Sequence, residues 1–110
     1  MNITVLIYYS GVNGNARRFA DKMEKCGTAA AIRDEKGNLG YEYFFPMNDP
    51  ETVLLIDRWE NQEAIDLHHD SAMMKTIMDL REKYNLHMRV ERLNPDEGGV
   101  PDTDFKYVRE

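Results

Sequence analysis

The order in which two hydrophobic periods alternate along the chain limits its fold more than any other feature. Asn2 to Tyr9 has the two-residue period of a strand, with Ile3, Val5, Ile7 and Tyr9 on one side and Asn2, Thr4, Leu6 and Tyr8 on the other. Its β-branched residues favour the same conformation. Ser10 to Gly14 is rich in turn formers. The period then becomes helical: Ala16, Phe19, Ala20, Met23 and Gly27 share a stripe, and charged residues fill the rest. Asn13 and Asn15 are the candidate caps. Gly27 ends or interrupts this helix, Thr28 to Arg33 adds a turn, and Glu35-Lys36-Gly37-Asn38 is a stop signal.

Leu39 to Met47 reads as the second strand, with Tyr41, Tyr43 and Phe45 on one face, and Thr52 to Glu60 as the third. The polar turn around Asn48-Asp49-Pro50 joins them as an antiparallel hairpin. Helical spacing returns from Asn61, a candidate cap, to Tyr84. Asp70-Ser71 divides this region, and Met73, Ile77, Leu80 and Tyr84 form the stripe of its second part. Leu86 to Leu93 alternates again. The order β-α-β-β-α-β predicts a ferredoxin-like α+β fold, a four-stranded antiparallel sheet with helices on one face. We place this domain at residues 3–93 and a C-terminal tail at residues 94–110.

Helices on one face leave a difficulty. In the third strand Val53 and Leu55 point one way and Leu54 and Ile56 the other, so both faces of the sheet are apolar. The uncovered face needs a partner, and a second copy of the chain is the simplest one. A homodimer is therefore expected. The tail, apolar again at Phe105, Tyr107 and Val108, is the competing cover, or it reaches across to the second copy.

A length of 110 residues fits one domain. The net charge of −6 argues against nucleic acid or an anionic membrane surface as partner, because both select basic faces. The single cysteine, Cys26, allows no internal disulfide and fits a reducing compartment. No apolar run has the length of a membrane span, and the first residues have neither a basic start nor a small-residue cleavage site, so a cytoplasmic location is expected.

Most catalytic signatures are missing from the sequence. It has no Gly-rich phosphate loop, no cysteine cluster for zinc or iron–sulfur, and no nucleophile elbow. No metal and no cofactor is expected. The histidines are more informative. Ala64, Leu67 and His68 fall at i, i+3 and i+4 and predict an inward stripe, whereas His69 lies toward Asp66 and Asp70 on the wet side. An inward histidine that lines a cavity can act as acid or base near neutral pH. Otherwise it is a satisfied core residue. Trp59, the only tryptophan, ends the third strand just before that helix, where it anchors the core or walls a pocket between sheet and helix.

Tyr41-Glu42, the turn with Asp49-Pro50, and Leu54-Leu55-Ile56-Asp57-Arg58-Trp59-Glu60 resemble the strand pair of antibiotic-biosynthesis monooxygenase domains. Ala64, Leu67, His68 and Ser71 match residues of the helix that follows in that family. The resemblance covers roughly residues 3–93. It implies a dimeric α/β barrel and a monooxygenase that acts on a quinol-like or polycyclic aromatic molecule without metal or flavin. His68 would then be catalytic, and Trp59, Tyr43 and Arg58 would bind substrate. A non-catalytic small-molecule-binding or stress-response module on the same fold is the alternative. Haem-degrading relatives differ, with an asparagine in the first strand, a tryptophan at the place of His68 and a histidine at the place of Met78.

Overall fold

A computed structural model describes residues 2–109. Its elements in chain order are β1 (Ile3–Ser10), α1 (Asn15–Lys25), α2 (Thr28–Arg33), β2 (Asn38–Phe44), β3 (Thr52–Trp59), α3 (Gln62–His69), α4 (Ala72–Lys83), β4 (His87–Leu93) and α5 (Asp102–Phe105). The strands form one antiparallel sheet in the order β2-β3-β1-β4, with the helices on one face. This is the expected ferredoxin-like arrangement, with each helical region split into two helices. Gly27 makes the first split: its φ of 84° is left-handed backbone, which favours glycine. Ser71 makes the second, and its Oγ donates back to the His68 carbonyl at 2.6 Å.

Cross-strand register sorts the side chains into rows. On the helix-covered face one row runs Tyr41, Asp57, Val5, Arg92, and the next runs Tyr43, Leu55, Ile7, Val90. Phe19 and Met23 of α1, Ile32 of α2, and Ile77 and Leu80 of α4 pack down on this face. With Tyr9, Tyr41, Leu55 and Trp59 they form the core. The Tyr9 and Phe19 rings lie 4.7 Å apart. On the opposite face Leu6, Tyr8, Leu54 and Ile56 are half-buried and Phe44 is exposed.

Several local expectations shift. Gly14, also left-handed, precedes α1 in the capping position; Asn15 is the first helical residue, and its amide reaches the Tyr84 carbonyl at 3.2 Å. Strand β2 stops at Phe44, two residues before Pro46, which has no N–H for the ladder. Leu67 is exposed, and Ile65 takes its place on the buried stripe with Ala64 and His68. The inward arc of so short a helix is set by how it lies on the sheet. From Asn94 to Arg109 every residue is exposed. This extended segment accounts for a radius of gyration of 15.6 Å, against about 13 Å for a compact chain of this length.

Candidate functional site

Asp57 and Trp59, two residues apart near the end of β3, point to the same, helix-covered side. The chain then turns at Asn61, whose side chain accepts the Ala64 amide at 2.9 Å and starts α3. Ala64, Ile65 and His68 of that helix are buried against the sheet. The His68 ring thereby stacks on Trp59, with centroids 4.8 Å apart and planes 29° from parallel. Its Nδ1 meets Glu35 Oε1 at 2.6 Å. Glu35 follows α2, and the next glycine, Gly37, is left-handed with φ 87°; a Cβ there would stand 2.5 Å from that of Ala64. Only glycine lets this turn lie so close to α3, and the approach brings Glu35 to His68. With Nδ1 donated to a carboxylate, Nε2 is the nitrogen left to accept a proton.

Trp59 and His68 line a cavity of about 290 Å³ between sheet and helices. Val5, Ile7, Leu55, Ile65, Met74 and Ile77 make most of its wall apolar. Tyr9 and Tyr41 also border it, and burial holds both phenols protonated well above their ordinary range. Arg81, Arg92, Met88 and Val90 stand toward the β4 edge, where exposure rises. Arg92 donates to Gln62 at 2.7 Å and Arg81 to the Met88 sulfur at 2.8 Å.

Asp57 is the chemically unusual member of this lining. It is 5% exposed, and its Oδ1 has no hydrogen-bond partner among the described residues. Burial pushes its carboxyl up to about 6, against smaller downward pulls from the Trp59 side chain and its own backbone.

Of the residues singled out in the sequence, Trp59 and His68 meet at the cavity. His69 reaches the same lining although it is exposed. Tyr43 sits one row away, its hydroxyl 2.9 Å from that of Tyr41 and its ring against Phe19. Arg58 lies on the open face beside Gly40 and Thr4. Asp57 and Glu35 had not been singled out. An acid within the row Val53, Leu55, Asp57, Trp59 is a signal the sequence carries. Glu35, 33 positions from His68, leaves no local signal. Among the described residues no cluster of three or more His, Cys, Asp or Glu is placed to hold a metal ion, and no helix is long and apolar enough to cross a membrane.

The model of the antibiotic biosynthesis monooxygenase family matches residues 2–80. No curated protein matches the chain significantly. Solved structures do. A provisionally assigned antibiotic biosynthesis monooxygenase from Deinococcus radiodurans has 18% identity over 86% of this chain and 92% of its own, with a TM-score of 0.74. A similarly assigned protein from Nitrosomonas europaea has 16% identity over 86% and 98%, with a TM-score of 0.71. A conserved Bacteroides thetaiotaomicron protein of unknown function, described as a possible oxidoreductase, has 15% identity over 84% and 95%, with a TM-score of 0.73.

Proposed function

The chain belongs to the antibiotic biosynthesis monooxygenase family, and from that premise we propose that it oxygenates a quinol-like or polycyclic aromatic molecule without a bound cofactor. The observation that carries this reading is the His68 ring, stacked on Trp59, held at Nδ1 by Glu35, and facing an apolar cavity. The cavity volume of about 290 Å³ suits a small aromatic ligand.

His68 Nε2 takes the proton of a substrate hydroxyl. The O–H bond breaks, its electron pair stays on the substrate oxygen, and an electron-rich phenolate forms. Such an anion reduces dioxygen itself. For a simple quinol the balance is quinol plus dioxygen to hydroxyquinone plus water: one oxygen atom enters the ring, the other leaves as water, and the substrate supplies all the electrons. The protein's part is to bind the ring, hold the proton and keep bulk water out. Trp59 supplies the flat wall, and Glu35 fixes the tautomer and orientation of His68.

Oxygen uptake with a panel of hydroquinones tests this. His68→Ala is expected to lower kcat by about a hundredfold or more, the usual scale for general acid–base groups. Equal uptake by the two proteins removes His68 from the mechanism. A ligand that binds tightly and is returned unchanged would favour the binding-module alternative.

The active unit is read as a homodimer. The open face of the sheet presents Leu6, Tyr8, Leu54, Ile56 and Phe44 with no element of the described residues over them, which is the surface a second copy would cover. Light scattering should give twice 12.9 kDa; a mass of one chain overturns the dimer.

A further inference from the structure

The reaction proposed above gives a protein partner to one substrate hydroxyl, through His68, and leaves Asp57 without a task. A carboxylate is the costliest group of its size to bury, and buried polar atoms are retained with partners. Asp57 is nine-tenths buried, borders the same cavity as His68, and presents an Oδ1 that bonds to nothing among the described residues. The charged and titratable groups that line the cavity with it are Tyr9, Tyr41, His68, His69, Arg81 and Arg92. The two arginines are bonded to Met88 and Gln62. Tyr41 is bonded to Tyr43. His68 is bonded to Glu35. None of these groups bonds to Oδ1, and on that observation the open valence of Asp57 points to a donor that arrives with the ligand.

We propose that Asp57 is the specificity-determining residue of the cavity, accepting a hydrogen bond from a second hydroxyl of the substrate while His68 takes the first. The substrate class this selects is a dihydroxylated aromatic, neutral on entry, with donors at two separate ring positions. A monohydric phenol leaves the carboxylate unpaired and forfeits the bond; an ether at the second position forfeits it and adds bulk. Asp57 binds and orients, and the proton of the second hydroxyl stays with its oxygen during binding. This inference rests on the proposed reaction for its ligand class, but it is read out by binding alone.

The experiment is titration calorimetry at pH 8 with dioxygen excluded and three probes: 2,6-dihydroxynaphthalene, 6-methoxy-2-naphthol and 2,6-dimethoxynaphthalene. Wild type should bind the diol at least about tenfold more tightly than the methoxynaphthol, since a bond to a charged acceptor is among the stronger kinds. Asp57→Leu should bring that ratio to about one. Asp57→Asn, nearly isosteric and able to offer a neutral acceptor, should give an intermediate ratio and guards against a folding defect in the leucine variant. At pH 5 the wild-type ratio should fall, because the carboxyl titrates at about 6 and its protonated form accepts more weakly. His68 faces both probes alike, so its own protonation cancels from the ratio.

A wild-type ratio near one overturns the inference. A ratio unchanged in both variants overturns it as well. Absent oxygen uptake with an intact ratio sinks the oxygenase reading and leaves Asp57 standing. Uptake that depends on His68 but shows no diol preference does the reverse.

Discussion

The two faces of the sheet are built from alternate residues of the same strands, yet they differ in almost every physical respect. Within β3, Val53, Leu55, Asp57 and Trp59 are buried, whereas Leu54 and Ile56 are half-buried and Arg58 is exposed. The covered face carries the core, the cavity and the unpaired carboxylate. The open face carries apolar residues in its middle rows and charged ones at its rim, the usual anatomy of a protein interface. Strand alternation thus lets one short segment line the cavity on one face and present apolar side chains on the other. A one-residue slip in register would exchange the two.

The contrast can be broken most forcefully at Trp59. Trp59→Ala removes the largest fully buried side chain and should cost about 3–5 kcal/mol, a large share of the total for a domain of this size. Ile56→Ala, on the other face, removes a half-buried side chain and should cost only about 1 kcal/mol within one chain. Urea midpoints compare the two. Equal losses would mean that the open face contributes to folding as much as the covered one, and the division of labour would fail.

A smaller effect sharpens the account of the covered face. The Asp57 carboxyl titrates at about 6 in the folded protein against an ordinary 3.8. Between those values the native state binds more protons than the unfolded state, so stability is full below about pH 4 and declines as pH rises through 6. The loss above pH 6 is about 3 kcal/mol at most. Asp57→Asn never ionises. It should therefore melt higher than wild type at pH 8 and alongside it at pH 4. Melting curves that shift equally at both pH values would show that burial does not strain the carboxylate. In that event the geometric case for a ligand donor would have to stand without its energetic companion.

The sequence was most legible where a period repeats. The strand order, the hairpin and both helical regions follow from alternation and stripe, because burial of one face dictates those patterns. Trp59 and His68 were also visible, one as a bulky residue ending a strand and the other as a polar residue on a buried stripe. Leu67 shows the limit: in a helix of eight residues, the inward arc depends on how the helix is laid down, and Ile65 took the place that spacing offered to Leu67. Glu35 shows a harder one. Its contact with His68 depends on the close approach at Gly37, a long-range packing event with no trace in either local pattern. Asp57 falls between, since an acid in an apolar row marks a position as unusual without telling whether a salt bridge, a water or a ligand answers it.

The smallest effect on the chain itself should come from placing a charge on the open face. Ile56 lies in a row with Glu42, Leu6 and Glu91. In an isolated protomer, Ile56→Arg puts a guanidinium at a half-exposed position directly across from the Glu42 carboxylate, an opposite-charge pair that offsets part of the lost apolar burial. The urea midpoint should move by no more than about 1 kcal/mol. In the proposed dimer the same residue lies within the buried interface, where an arginine loses its water. The assembly should therefore dissociate while each chain stays folded, and light scattering should fall from two chains to one. If the mass stays at two chains, the dimer uses another surface and the exposed tail becomes the next place to look for it. If the chain unfolds instead, the open face is part of the protomer's own stability, and the contrast between the two faces is one of degree.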